Sequence, residues 1–214
     1  MNVASCLRRY VGIHFLRVLV RELGTAAAPA PLDDGIECRL LTEHEVLAFA
    51  VDPALQLDRA WVRNAFGNGG ACVGALQSGR LIGYNWLAYA DTEYARGVWL
   101  RLKGPFRYSY KTFVRPEHRG RRIAQALHAL ADQAELRRGR RLAVNLVDAC
   151  NHSSLAALRR SGSRPLGWIG FAKCFGVVLA LHSPGVRRAG LRFYGPIRAR
   201  IAGRMRPCPP PVGI

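Results

Sequence analysis

Residues 110–139 read YKTFVRPEHRGRRIAQALHALADQAELRRG, and this stretch restricts the fold more than any other. Residues 110–114 form a β-prone run that Pro116 breaks. Arginines clustered around Gly120 follow. A helical pattern then runs without Gly or Pro to Gly139, with an apolar stripe at Ile123, Leu127, Leu130 and Ala134. The first turn of a helix leaves backbone N–H groups without partners and adds the positive end of its dipole. A loop entering that turn can wrap its own N–H groups around a phosphate, and glycine lets the backbone come close. Arg115, Arg119, Arg121 and Arg122 would add charge to such a site. The same residues also fit a solvated basic turn capping an ordinary βα unit, and charge alone does not separate the two.

The rest of the chain supplies a mixed sheet. Residues 36–41 read as a first strand, and Thr42 followed by Glu45 as the capping box of a helix. Residues 58–65 suggest a second helical piece. Residues 71–77 and 80–89 are apolar β-prone runs joined at Ser78-Gly79, a hairpin signal. Extended segments at 98–102 and 106–114, a helix over 123–138, a strand over 142–147, a helix over 151–161 and one or two strands over 165–178 complete the order. The class is α/β (α+β): a mixed, mostly antiparallel sheet flanked by helices. Strands 106–114 and 142–147 form its one parallel pair, and ligands are expected at their carboxyl ends.

Charge is unevenly spread. The 214 residues carry 32 Lys and Arg against 14 Asp and Glu, a net charge of +18, and no acid lies beyond Asp148. An anionic membrane surface, an acidic acyl carrier protein or another acidic partner fits this balance, as does compositional drift towards Arg. Nucleic acid is not expected, since no recognised binding motif or stacking platform is present. The six cysteines show no CxxC or Cys/His ligand spacing, so neither a metal nor a disulfide framework is expected.

Residues 7–23, LRRYVGIHFLRVLVREL, are too short and too charged to span a bilayer. On a helical wheel His14, Arg17 and Arg21 share one face, and Ile13, Leu16, Val20 and Leu23 another. The expectation is an amphipathic helix docked on the protein or on a membrane surface. With its linker it makes up residues 1–31. A catalytic domain over 32–182 follows, then a basic extension over 183–214 with little regular core. The expected location is the cytoplasm, at most peripheral on a membrane.

Two segments together resemble a known family. VRPEHRGRRIAQAL resembles the acyl-CoA-binding loop of the GNAT acetyltransferase superfamily, and NHSSLAALRRSG resembles that superfamily's second motif. The resemblance covers residues 36–178 and implies acetyl-CoA or another acyl-CoA as co-substrate. It implies a backbone cradle for the CoA pyrophosphate at Arg119, Gly120, Arg121, Arg122, Ile123 and Ala124. It also implies a pantetheine arm along the strand ending at Phe113 and Val114, with Asn151 steadying that arm. Three positions depart from the pattern. Arg122 stands where the loop has glycine, Leu158 where the tyrosine that protonates the thiolate is usual, and Gly162-Ser163 where Gly-Phe is usual.

For the general base, acids near the carboxyl ends of central strands are the candidates: Asp148 first, then Glu93, with Asp91 beside it. Ser154, Ser153 or His152 could supply a proton. Trp86, Trp99, Tyr108 and Tyr110 either shape an acceptor pocket or belong to the core. The implied activity is transfer of an acyl group, acetyl in the first instance, to an amine on a small molecule or protein. The alternatives are a longer-chain transferase drawing on acyl carrier protein or working at a membrane, and a catalytically silent CoA- or nucleic-acid-binding module.

Overall fold

The computed structural model describes residues 13–24, 32–33, 35–103, 106–137, 139–174 and 177–195. Local chemistry sets most element boundaries. After β1 (Ile13–Glu22) and β2 (Ile36–Leu41), helix α1 (Glu43–Phe49) starts at Thr42, whose side chain and that of Glu45 complete a reciprocal capping box. Helix α2 (Arg59–Gly67) is capped by Asp58, which accepts from the Trp61 amide at 2.7 Å. Strands β3 (Ala71–Gln77) and β4 (Arg80–Ala88) meet in a two-residue turn. Ser78 and Gly79 both have positive φ there, as a turn following the sheet's twist requires.

The remaining elements are β5 (Thr92–Ala95), β6 (Val98–Arg101), β7 (Phe106–Val114), α3 (Ile123–Arg137), β8 (Leu142–Asp148) and α4 (His152–Arg160). They are followed by β9 (Arg164–Cys174), β10 (Val177–His182), α5 (Pro184–Arg188) and β11 (Arg192–Tyr194). Eight strands form one sheet in the order β10-β9-β1-β8-β7-β4-β3-β2, and β11-β6-β5 form a small second sheet. Every pair in the large sheet is antiparallel except β7–β8. The mixed, mostly antiparallel sheet is therefore present.

Two segments differ from their sequence expectation. Residues 13–22 are not a helix: they are a strand inserted between β8 and β9. Leu16, Val18 and Val20 face one side of the sheet with Val144 and Ile169, while Leu19 faces the other with Val147 and Leu155. A central strand is apolar on both sides, so its period-two signal is blurred and resembles a helical stripe. Residues 1–12 lie outside the described residues. The segment beyond His182 is not a loose extension either, because β11 completes the small sheet by pairing with β6 and α5 packs against β9. Val186, Leu191, Phe193 and Tyr194 are buried there. They are thus withdrawn from any membrane contact, and the arginines at 198, 200, 204 and 206 lie outside the described residues.

Packing is divided by the sheet. On one face Ile123, Leu127 and Ala131 of α3 pack on Val73, Ala75 and Ile82. Beneath the same helix Asp132 binds the guanidinium groups of Arg21 and, at 2.7 Å, Arg107. All three side chains are almost wholly buried. On the opposite face α1 and α2 cover β3 and β4 through Val46, Leu55, Trp61 and Trp86, and the small sheet covers β1 and β9.

Candidate functional site

Strands β7 and β8 pair only from Phe106↔Leu142 to Ser109↔Asn145. Beyond Ser109 they separate. Residues 110–114 keep their partner on the β4 side and present their other edge to the opening. An extended ligand can add to such an edge as a strand does.

That edge is also bent. Tyr84 lies opposite Phe113 and Trp86 opposite Tyr110, so the single residue Asn85 faces two, Lys111 and Thr112. This is a β-bulge, and Lys111 has φ +47°. Lys111 donates to the Gln56 carbonyl at 2.7 Å and lies 4.3 Å from the Trp61 ring centroid, on the α2 side. Thr112 turns to the α3 side, where its hydroxyl donates to Asn85 at 3.0 Å. After the bulge, Phe113 stacks on Tyr84 while Val114 packs beneath α3.

The chain then enters the loop before α3. Arg115 anchors its start. Its amide and Nε donate to the Ile82 and Leu81 carbonyls at 2.9 Å each, and its guanidinium binds Asp52. That hydrogen bond holds the Asp52 carboxyl below its usual range. Arg119 donates to the Val114 carbonyl at 3.3 Å. Arg121 donates to Asp33 at 2.6 Å and lies 2.8 Å from His118 Nδ1. Three of the loop's arginines therefore tie the loop to itself and to its surroundings.

Gly120 has φ +79°, with open space where a Cβ would stand. Arg122 has φ +61°, a glycine-type conformation that costs another residue about 1–2 kcal/mol. Its side chain has no acceptor with which to cap the helix. The first helical amide with an acceptor is that of Ala126, which reaches the Arg122 carbonyl at 3.1 Å. The amides of residues 123–125 accordingly open onto the loop, as they do at a helix start that can bind an anion. Ile123 itself is buried in the core, and Ala124 is half-buried.

Across the gap, Asn151 begins α4. Its carboxamide oxygen accepts from the Ser154 amide at 3.1 Å and from the Ser153 hydroxyl at 3.0 Å. One half of that side chain is a helix cap, which leaves the NH2 half for a ligand. Asp148 ends β8 and accepts from the Cys150 amide at 2.9 Å, as a loop carboxylate does. Leu158 packs with Leu19, Val147 and Leu155, so the position where the family has tyrosine belongs to the core here.

The two candidate bases are not brought together. Glu93 lies on β5, almost buried, and accepts from the Gly97 amide at 2.7 Å. It lines a cleft with Trp61, Asn64, Asn68, Asp91 and Tyr110, in which Asp148 has no part. Of the aromatic residues considered from sequence, only Tyr110 reaches this cleft. Trp86, Trp99 and Tyr108 are core. Among the described residues no three His, Cys, Asp or Glu side chains are grouped to hold a metal ion. The bulge and its partner Asn85 were missed from sequence, although one Asn inside the apolar run RLIGYNWLA was a signal for them.

A splayed parallel pair, a bulged strand facing the gap and a glycine loop presenting helix amides define an acyl-CoA-type transferase fold. The acetyltransferase (GNAT) family model matches residues 38–163, and the chain belongs to that family. Solved structures show the same fold. A protein from Novosphingobium aromaticivorans placed in the GNAT family is 20% identical, with TM-score 0.53 over 75% of this chain and 63% of that one. A GCN5-related N-acetyltransferase from Sphaerobacter thermophilus is 16% identical, with TM-score 0.53 over 99% and 58%. Another from Kribbella flavida is 15% identical, with TM-score 0.50 over 89% and 66%. The chain thus spans about two thirds or less of the length of these structures. No curated protein matches the sequence. No helix among the described residues is long and apolar enough to cross a membrane.

Proposed function

We propose that the protein is an acyl-CoA-dependent N-acyltransferase that moves an acyl group, acetyl in the simplest case, to an amine held in the cleft of Trp61, Glu93 and Tyr110. The observation that carries this reading is continuity. The open edge of residues 110–114 leads through the loop of residues 115–122 to the amides of residues 123–125, so one extended ligand can lie along the strand and end its diphosphate at the helix. Gly120 and the αL turn at Arg122 bring that backbone close, and Arg122 adds a charge where the family has glycine.

In the reaction the amine nitrogen attacks the thioester carbonyl carbon, the C–S bond breaks, and CoA leaves as the thiolate. An N–H at the bulge stabilises the developing oxyanion. Holding both reactants together removes much of the entropic barrier. Glu93 is the better placed of the two acids to take the amine's proton, because it shares the cleft with Tyr110. With Leu158 in the core, the thiolate takes its proton from solvent or from the Ser154 hydroxyl at the start of α4. The charge of +18 favours an anionic acyl source, acyl carrier protein or a membrane-borne thioester among them.

The test is incubation of the purified chain with acetyl-CoA and longer acyl-CoAs against a panel of amines, following free thiol. Amine-dependent thiol release is expected. Binding of CoA with no release against any amine would leave a silent binding module instead.

A further inference from the structure

The bulge in β7 is fastened from the α3 side by a group outside the catalytic and CoA-binding positions considered so far. Asn85 is wholly buried in the middle of β4, directly opposite Lys111 and Thr112. Its side chain uses both ends. The carboxamide oxygen accepts from the Thr112 hydroxyl at 3.0 Å. The NH2 lies 3.3 Å from the Ser109 hydroxyl and 3.5 Å from His128 Nδ1. Ser109 is the last residue of β7 paired with β8, and Thr112 is the second bulge residue. Asn85 therefore grips β7 at the point where it leaves β8 and again where it bulges.

The chemistry fits a fixed clamp. An amide has two donors and two acceptor positions, and a buried one is costly unless they are used. His128 completes the set from α3. Burial, with Arg107 and Arg21 nearby, pulls its pKa down to about 3, so the ring is neutral and Nδ1 can accept. Leucine would fill the volume in an otherwise apolar strand, which makes the choice of Asn one of geometry rather than of packing.

We propose that Asn85, through Thr112, is a positioning residue that fixes the bulge so that its backbone N–H meets the acyl carbonyl. The proposal rests on the acyltransferase reading. It implies a division of labour along the ligand: the α3 amides hold the diphosphate whatever is attached to the sulfur, and the clamped bulge senses the acyl group alone.

Calorimetry with CoA and with acetyl-CoA separates these contributions in the full chain. The wild type is expected to bind acetyl-CoA about three- to tenfold more tightly than CoA, the difference one hydrogen bond makes. Asn85→Leu and Thr112→Val should bring that ratio to about one while leaving the Kd for CoA within about twofold. In the transfer assay both should lower kcat at least about tenfold, while KM for acyl-CoA rises by no more than the roughly three- to tenfold lost in acetyl-CoA affinity, since a misaimed oxyanion donor acts mainly on the transition state. Thr112→Ser, which keeps the hydroxyl, should restore both quantities. Thr112→Val removes one hydroxyl without changing shape, so it remains informative if Asn85→Leu fails to fold. No binding of either ligand by the wild type would overturn the acyltransferase reading and this proposal with it. Binding with an acyl preference that both variants retain would overturn the role of Asn85 alone.

Discussion

Asp132→Ala is expected to be among the most destabilising single changes in the molecule. Its carboxylate is the shared partner of two guanidinium groups, Arg107 with no exposed surface and Arg21 with 4%. Burial pulls the Arg107 pKa below its ordinary value, while Asp132 and Glu135 oppose that pull. Removing one partner of a buried ion pair costs about 3–5 kcal/mol, because the charge left behind can neither reach water nor neutralise itself. Glu135 remains close to Arg107 and offsets part of the loss, which favours the lower end, near 3 kcal/mol. For a chain of this size each kcal/mol moves Tm by about 2–4 °C, so a fall of about 6–12 °C is expected. Urea unfolding gives the free energy directly. Arg21→Met and Arg107→Met combined with Asp132→Leu should recover much of it, since apolar groups of similar volume commonly replace a whole buried charge cluster without loss. The coupling of Arg21 to Asp132 in a double-mutant cycle should exceed about 1 kcal/mol. A loss below about 1 kcal/mol for Asp132→Ala, or no coupling to Arg21, would refute both the energetics and the placement of residues 13–22 against α3.

Two further outcomes follow from single positions. Gly120→Pro cannot adopt φ +79° and removes an amide from the loop, so CoA binding should weaken at least about tenfold with Tm little changed; equal affinity in calorimetry would remove the loop from the diphosphate site. His128 is neutral in the fold down to about pH 3, whereas a free imidazole takes its proton near pH 6.5. Between those values the unfolded chain binds the extra proton. Stability should therefore fall as pH drops through that window, by at most about 1.4 kcal/mol per unit. His128→Gln should flatten the dependence in urea unfolding between pH 7 and 5, and an unchanged slope would contradict the burial of that ring.

What could be read from sequence was whatever local chemistry decides. The Thr42–Glu45 capping box, the Ser78-Gly79 turn and the basic loop ahead of Ile123 each act within a few residues, and each is present. The parallel pair followed from the strand–helix–strand order of residues 106–147, and it is present. What could not be read was decided by partners distant in the chain. Arg21 looked like the polar face of a surface helix, because Asp132, which accounts for its burial, lies more than a hundred residues away. Phe193 and Tyr194 sit in an acid-free, arginine-rich stretch, and their burial depends on pairing with β6. Even within the site, the register slip at Asn85 exists only once β4 and β7 are paired.

The misread N-terminal strand also bears on how the site can exist at all. A cleft between two parallel strands leaves each with an unused edge, and a strand held on neither side would not keep its shape. On the β7 side the opening is tolerated because β4 pairs with it from Tyr108 to Val114. On the β8 side the corresponding support is β1, which pairs with β8 along its whole length from Leu142 to Asp148. In particular Leu16, Arg17 and Val18 lie opposite Asp148, Val147 and Leu146, the three residues that continue past the last β7 contact at Asn145. Strand β8 can diverge from β7 because β1 holds its far edge. The segment that sequence placed outside the catalytic domain is thus one of the two supports of the cleft, and the Arg21–Asp132 pair fastens that support to α3, the helix that the glycine loop enters.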